Sequence, residues 1–296
     1  MRIAFVSVFV VFAVLAGGPA AVAQGTACDR ACLTDLLTRY LNAMVAHDPS
    51  TLPLAPGVRF TEDTNELKLG EGTWKTVSKL RTYRVDVIDV REGVAAVHTV
   101  LEENGAPILF AARLKVVDRK ITEIETMVVK NREEGALFAP DNLKEPTAIM
   151  RYTPQPSERM PREQMVSIAA RYPAGLRAGS FVTSDVPFAS NAYRLENGIR
   201  MAGPGCTFQP PSCENMKTQR IPTLKELKQR LVAVDEEMGV VLYRLEFGRG
   251  SLPGPNYEGK GLGLVTFEAF KVYGGMIHAA EAIFEAEPFN ASSGWD

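Results

Sequence analysis

The chain has 296 residues, of which 46% are hydrophobic and 23% charged, and its formal net charge is −2. This length is typical of about two domains, and the apolar fraction allows each to bury a core. The near-neutral charge and the lack of a basic run or a Gly-Lys-Ser/Thr loop argue against nucleic acid as a partner and against a nucleotide cofactor. We therefore expect no cofactor.

The first 23 residues have the pattern of a secretory signal peptide. Arg2 provides a positive start, residues 3–16 are almost wholly apolar, and residues 21–23 form a small-x-small cleavage site before Gln24. A membrane anchor is the alternative, but the apolar run is shorter than the ~20 residues that a span requires. We predict an exported protein, periplasmic or extracellular, with no membrane span after signal removal.

Four cysteines are consistent with disulfides in an oxidising compartment. Cys206 and Cys213 flank a proline-rich loop, and a disulfide between them is the first choice. The pair Cys28–Cys32 then follows by default, although a helix holds residues four apart in a poor geometry for a bridge. The three histidines have no ligand spacing to the cysteines, so we predict no metal site.

The first predicted repeat, residues 24–130, begins with an amphipathic helix at 29–47, where apolar side chains recur at three- and four-residue steps. A proline-broken connector leads to a hairpin at 58–69. Three strand-like runs follow between residues 80 and 117, and a last strand at 120–129 closes the set. The pattern predicts a helix followed by a curled antiparallel sheet.

Residues 131–161 are a predicted linker marked by five prolines, and the pattern then restarts in 162–296. The second repeat has a helix, a hairpin at 192–201 with an Asn-Gly turn, a strand pair between 230 and 248, and a last strand pair at 264–284.

A repeated segment supports this division. Residues 270–282 align with 114–126 without a gap, which matches Lys271 with Lys115 and Glu281 with Glu125. Such self-similarity indicates that the chain contains two copies of one fold. We expect the two copies to pack as a pseudo-dimer within one chain.

The order of a helix, a broken connector, a hairpin and strands ending in a Lys-Val…Gly-x-Ile…Glu pair resembles the SnoaL-like branch of the nuclear transport factor 2-like fold. Segments 194–198, 234–241 and 270–272 are similar to secreted tandem SnoaL-like proteins of largely unassigned function. The resemblance implies an α+β fold of two tandem cystatin-like cones, each a curved antiparallel sheet round a helix. The wider fold includes cofactor-free isomerases, cyclases, dehydratases and lyases as well as non-catalytic pockets, so it fixes no reaction.

Matched carboxylates in the two hairpins are the first candidates for chemistry. In similar isomerase and cyclase folds, acid/base carboxylates project from such strands into the cone, and Glu62 and Glu196 occupy these positions. A carboxylate whose pKa is raised by an apolar pocket can move a proton near neutral pH. A solvated turn residue is the alternative for both, and Glu196 has Arg194 and Tyr193 beside it.

Glu125 and Glu281 lie on the matched last strands among apolar residues, where a carboxylate needs a partner or a polar cavity. Arg113 is the expected partner of Glu125, whereas Ala269 occupies the matching position in the second repeat. We therefore prefer Glu281 as a catalytic residue and Glu125 as a structural one. A buried ion pair is the alternative for both.

The remaining candidates come from the helix, a turn and two strands. Tyr172 either donates a hydrogen bond to a carbonyl or enolate, or packs in the core. Asp235 belongs to a charged turn, for which a solvated face is the alternative. His98 and His278 are strand residues for which a structural role is favoured, and strand alternation separates His278 from Glu281.

The predicted function is a cofactor-independent lyase, dehydratase or isomerase that uses general acid/base catalysis on a small hydrophobic or aromatic oxygenated compound. The candidate catalytic residues are Glu281, Glu196, Tyr172 and Asp235, and the candidate substrate-binding residues are Arg194, Tyr193, Glu62, Glu125, Arg113, His98 and His278. The alternatives are a non-catalytic small-molecule-binding protein of the cell envelope and a protein-interaction scaffold. A cavity with several carboxylate, tyrosine or histidine groups favours the enzyme, an apolar cavity favours binding, and filled repeats favour the scaffold.

Overall fold

The structure is a computed structural model that describes residues 28–208, 211–219, 221, 223–248, 261–288 and 294–295. The predicted signal peptide, residues 1–23, lies outside the described residues. Among those that are described, no helix combines the length and the apolar character that a membrane crossing requires.

The first repeat consists of one long helix and a six-stranded sheet. Its elements are α1 (Arg30–Ala46), β1 (Leu54–Glu62), β2 (Asn65–Leu67), β3 (Val77–Asp89), β4 (Val94–Glu103), β5 (Ala106–Val117) and β6 (Lys120–Val129). The strand order is β2-β1-β6-β5-β4-β3. The β1–β6 pair is parallel and the other neighbours are antiparallel.

The second repeat has the same strand order. Two short helices, α2 (Arg132–Gly135) and α3 (Ala148–Arg151), precede α4 (Arg162–Ala178), β7 (Phe188–Glu196), β8 (Ile199–Ala202), β9 (Lys228–Asp235), β10 (Val240–Phe247), β11 (Leu262–Tyr273) and β12 (Met276–Pro288). The order β8-β7-β12-β11-β10-β9 repeats that of the first sheet, with β7 parallel to β12. The prediction of a tandem repeat is therefore confirmed.

The predicted SnoaL-like cone is wrong. Two six-stranded sheets are the main elements of the described chain, and of its four α-helices two have only 4 residues each. The sheets are also mixed rather than antiparallel, because the first strand of each repeat runs parallel to the last. Side chains alternate in the same way in parallel and antiparallel strands, so the sequence pattern does not reveal the direction of this pairing.

Both predicted disulfides are confirmed. Cys206 and Cys213 are bonded with a Cα–Cα distance of 6.1 Å, and Cys28 and Cys32 with one of 5.2 Å. The second pair is compatible with a bridge because α1 begins only at Arg30, so Cys28 is not held by helical geometry.

Three apolar clusters form the core. One joins α1 to the inner face of the first sheet, and one joins α4 to the inner face of the second sheet. The third lies between the two sheets and contains side chains from both repeats, such as Val87 and Ala96 with Leu242 and Phe267. Each sheet thus has one face toward its own helix, called here the inner face, and one toward the other repeat, called the inter-repeat face.

Two ion pairs cross between the repeats in matching positions. Arg30, at the start of α1, donates to both oxygens of Asp235 at 2.8 and 2.9 Å. Arg162, at the start of α4, donates in the same way to Asp89 at 2.9 and 2.8 Å. These reciprocal contacts fit the expected pseudo-dimer within one chain and place Asp235 at the junction.

The predicted linker packs on the second sheet. The ammonium group of Lys271, which is fully buried, donates to the carbonyl oxygens of Met150 at 3.3 Å and Tyr152 at 2.5 Å. Burial lowers the pKa of Lys271 to about 8. Lys271 on β11 therefore binds both α3, through Met150, and Tyr152, the residue that follows this helix.

Candidate functional site

The inner face of the second sheet carries polar side chains at three positions where the first sheet is apolar. The strand registers establish the equivalence, because Glu281 pairs with Ala269 and Leu195 as Glu125 pairs with Arg113 and Thr61. The matched pairs are Thr266 and Phe110, Glu268 and Ala112, and Arg194 and Phe60. The three polar residues are at most 7% exposed, so the difference lies in the core.

A hydrogen-bonded network connects this inner face to α4. Arg194 donates from Nη1 to the Tyr172 hydroxyl at 3.3 Å, and both Arg194 and Tyr172 favour the ionised form of the neighbouring Glu268 carboxyl. Glu196 forms an ion pair with Arg194, with 2.9 Å between Oε1 and Nε. The guanidinium, the phenol and two carboxyls therefore form one continuous cluster.

Burial decides the protonation of this cluster. It raises the pKa of the Glu268 carboxyl to about 8, and the charge of Glu196 adds to the rise, while Arg194 and the hydrogen bond from Tyr172 oppose it. Burial and the charge of Glu268 hold the pKa of Tyr172 well above its usual range. Tyr172 is therefore a hydrogen-bond donor throughout the neutral range, and Glu268 can accept or release a proton near pH 7.

The surroundings of the cluster are aromatic, with one further hydroxyl group. The Tyr172 ring packs on Phe181 and Phe270 with centroid distances of 5.1 and 4.9 Å, which fixes its orientation. Thr266 lies two residues from Glu268 on the same strand face, and its hydroxyl has no hydrogen-bond partner among the described residues. An unpartnered buried hydroxyl is costly in a folded protein unless a ligand or water satisfies it.

The structure brings together three of the residues predicted from sequence, namely Tyr172, Arg194 and Glu196. Sequence reasoning missed Glu268 and Thr266. The signal was present, because Glu268 is a lone acid in an apolar strand, and extending the matched segments by two residues pairs it with Ala112.

Glu281 and Tyr193 lie on the other face of the sheet. Glu281 is 1% exposed and accepts hydrogen bonds from the Tyr193 hydroxyl and, at 2.8 Å, from Tyr83 of the first repeat. Burial raises the pKa of this carboxyl. Both carboxyl oxygens are therefore partnered at the inter-repeat face, away from Tyr172.

Glu125 occupies the matching position in the first repeat, but the expected pair with Arg113 does not form. Arg113 donates instead to Glu123 at 2.7 Å. Glu125 is bound by arginines of the second repeat, with 2.5 Å to Arg230 Nη2 and 3.6 Å to Arg244 Nε. The two arginines of the second repeat thus take the place of Arg113 on β5, which was the expected partner of Glu125.

The other predicted residues lie apart from the cluster. Glu62 accepts the backbone N–H of Thr73 at 3.0 Å. His98 is buried, which lowers its pKa to about 4. His278 stacks on Tyr273 with 3.5 Å between ring centroids and contacts its carbonyl oxygen.

A surface groove of about 490 Å³ lies beside β3 and β4, outside all predicted site residues. Its charged side chains bind one another, because Arg81 contacts Glu102 at 3.0 Å and Asp141 at 2.6 Å. With the pair of Lys79 and Glu102, these contacts partner four of the five charged side chains that line the groove, and we assign it no role.

The fold defines a protein of two like repeats, each a mixed six-stranded sheet, with a buried polar cluster in the second. The chain belongs to the family described as Domain of unknown function (DUF8021), whose model matches residues 26–128 and 158–284, a region in each repeat. No curated protein matches the chain.

Proposed function

We propose that the inner face of the second repeat binds a small oxygenated compound and transforms it by general acid/base catalysis without a cofactor, as a lyase, dehydratase or isomerase. The observation that carries this proposal is the buried network of Glu268, Tyr172 and Arg194, at positions where the matched core has Ala112 in place of the acid and Phe60 in place of the arginine. A core that only held the fold together would favour the apolar set, because buried polar groups are costly.

The proposed step begins with Glu268 as an ionised base. It removes a proton from a carbon next to a carbonyl group, so that the electron pair of the broken C–H bond forms a C=C bond and the π pair of the carbonyl group moves onto its oxygen. Tyr172 and Arg194 donate hydrogen bonds to this enolate. Protonated Glu268 then returns the proton, either to another carbon, which shifts a double bond, or to a β-hydroxyl group that leaves as water. The aromatic surroundings favour a hydrophobic or aromatic substrate.

We also propose that the chain is exported, with residues 1–23 as signal peptide, 24–130 and 162–296 as repeats and 131–161 as linker. The two disulfides fit an oxidising compartment, either periplasmic or extracellular. N-terminal sequencing of the protein recovered from the medium and from the periplasm tests this assignment, with Gln24 as the expected first residue.

The catalytic proposal is tested by screening the purified protein, without added cofactor, against hydroxylated aromatic and polyketide-like ketones. Mass spectrometry and ultraviolet absorbance follow water loss, carbon–carbon cleavage and double-bond migration. For a compound that turns over, Glu268→Gln should lower kcat by about 10²- to 10⁴-fold, because it removes the proton-transferring group. Tyr172→Phe should lower it as well.

The matched control is Tyr40→Phe, which removes the corresponding hydroxyl from α1 in the first repeat and should leave turnover unchanged. Full activity of Glu268→Gln would contradict the proposal. A loss confined to Glu281→Gln would move the reaction to the inter-repeat face. Binding of a screened compound at the cluster without turnover would favour the non-catalytic binding protein.

A further inference from the structure

Three acidic side chains from both repeats converge at one edge of the junction. Asp63 lies in the turn between β1 and β2, and Glu285 and Glu287 lie two residues apart on β12, which places them on the same strand face. One carboxylate oxygen from each residue lies within 4.8 Å of the other two. Glu285 and Glu287 are 5% and 6% exposed, while Asp63 is half-buried and connects the group to the surface.

A small cavity beside this group contains a second, independent feature. The cavity has a volume of about 10 Å³ and is lined by Asp63, Glu285, Glu125 and Arg244, among others. Such a volume accommodates about one water-sized particle. Glu125 is 3% exposed, and its Oε2 atom has no hydrogen-bond partner among the described residues. A buried carboxylate oxygen without a hydrogen-bond donor requires a cation or a proton.

The charges around the cavity do not balance. Asp63, Glu125, Glu285 and Glu287 carry four negative charges when ionised, and Arg230 and Arg244 at Glu125 supply two positive charges, which leaves two negative charges. Glu246 also contacts Arg244, at 3.6 Å, so the arginine charge is shared further. A single divalent cation would offset the two negative charges that remain on the four acids and two arginines at the cavity.

The fold does not require acids at these positions. The residue that matches Asp63 in the second repeat is Asn197, whose side chain donates to backbone carbonyl oxygens, at 2.8 Å to Phe284. Val129 matches Glu285 in the first repeat. The same turn and strand thus form without the acidic group, which points to a role specific to this edge of the junction.

We propose that Asp63, Glu285 and Glu287 bind one divalent cation beside the cavity that the Glu125 side chain also lines, with Ca²⁺ as the best-fitting ion. All the donors are carboxylate oxygens, which hard cations prefer. The three oxygens lie within 4.8 Å of one another, so a cation with Ca²⁺–oxygen distances of about 2.4 Å can contact all of them. Because Asp63 belongs to the first repeat and Glu285 and Glu287 to the second, the cation joins the repeats.

The test measures thermal unfolding of the full mature protein after treatment with EDTA and dialysis, with Ca²⁺, Mg²⁺ or Mn²⁺ added to millimolar concentration. Ca²⁺ should raise the Tm by several degrees, because a ligand that binds only the folded state stabilises it. Native mass spectrometry should show one bound Ca²⁺ per chain. Glu285→Gln and Asp63→Asn should abolish both responses.

Glu246→Gln is the matched control, because it removes a carboxylate beside Arg244 but outside the group and should keep the Ca²⁺ response. The substituted proteins without Ca²⁺ should unfold no lower than the EDTA-treated parent, because each substitution relieves repulsion, so lost binding is distinguished from lost folding. The proposal is overturned if none of the three cations changes the Tm, or if the response persists in Glu285→Gln and Asp63→Asn. If none of the cations changes the Tm, the three carboxyl groups share protons instead of a cation. Burial and mutual repulsion favour such protonation, because they raise the pKa of Asp63 to about 8 and also raise the pKa of Glu285.

Discussion

Glu268 couples the protonation of one buried carboxyl to the stability of the whole chain. Its pKa of about 8 lies above the ordinary value of 4.5, so the folded protein keeps a proton that the unfolded chain releases between these pH values. The contribution of this group to the free energy of unfolding is therefore largest below pH 4.5, falls as the pH rises to about 8, and is level above that.

This pH dependence gives a prediction for Glu268→Gln. The amide does not titrate, so the variant should lose this part of the pH slope and gain stability relative to the parent between pH 5 and 9. The gain should reach up to about 5 kcal/mol, at about 1.4 kcal/mol per unit of pKa shift. Urea unfolding at several pH values measures it, with exposed Glu66→Gln as the control. Parallel curves for parent and Glu268→Gln would show that the carboxyl is ionised in the folded protein.

The residues at the candidate site were only partly predictable from sequence. Tyr172, Arg194 and Glu196 were found because helix periodicity and hairpin position identify them. The sheet face on which Glu125 and Glu281 lie was not predictable, because both faces of each sheet are covered, one by a helix and one by the other repeat. In such a strand both sets of alternating side chains are apolar, so the pattern does not show which face an embedded acid occupies. The catalytic role of Glu281 stays a prediction.

At the scale of elements, the two crossing ion pairs are extended by backbone contacts. Asp235 accepts the Ile88 N–H at 3.0 Å, and Asp89 accepts the Val234 N–H at 2.8 Å. Each carboxylate therefore contacts both the start of the long helix and the end of a strand in the opposite repeat. Removing either one leaves a guanidinium and a buried N–H without their acceptor.

Asp235→Ala and Asp89→Ala should each lower the free energy of unfolding by about 3–5 kcal/mol, as expected when one partner of a buried ion pair is removed. The similarity of the two losses follows from their matched positions. Urea denaturation at pH 7 measures both, and Glu237→Ala, which removes a more exposed partner of Arg30, is the control. A neutral result for one of the two aspartates would show that the junction is not symmetric in energy.

The order of most elements was also predictable, whereas their layering was not. Hairpin turns and alternating runs located the strands, and the matched segments 114–126 and 270–282 indicated the repeat. The parallel pairing of β1 with β6 joins strands far apart in sequence, and no local turn signal specifies it. The expected cone was inferred from resemblance and not from a pattern that distinguishes mixed from antiparallel sheets.

At the scale of the whole molecule, the inter-repeat core belongs to both halves. It includes Val87 and Ala96 of one sheet and Leu242 and Phe267 of the other. A single repeat would expose this apolar face to water, and an exposed patch of that kind promotes association. The repeats are therefore expected to be stable only together.

Residues 158–296 produced alone should accordingly self-associate or aggregate, whereas the full mature chain keeps its inter-repeat face covered. Size-exclusion chromatography with light scattering measures the mass of each, and adding residues 24–157 as a separate chain should recover a one-to-one complex. A folded, monomeric second repeat would show that the inter-repeat face is not needed for stability.

The fusion of two copies has a consequence for how such a protein can change over generations. In a dimer of identical chains, every substitution appears twice, so Arg194 and Glu268 would have introduced charges into both cores at once. In the fused chain each substitution falls on one copy, and the first repeat retains Phe60 and Ala112 at those positions. One repeat can therefore keep the residues that stabilise the fold while the other acquires substitutions for a new function. Because the two repeats share the inter-repeat core, the stability of the first repeat can compensate for stability lost in the second.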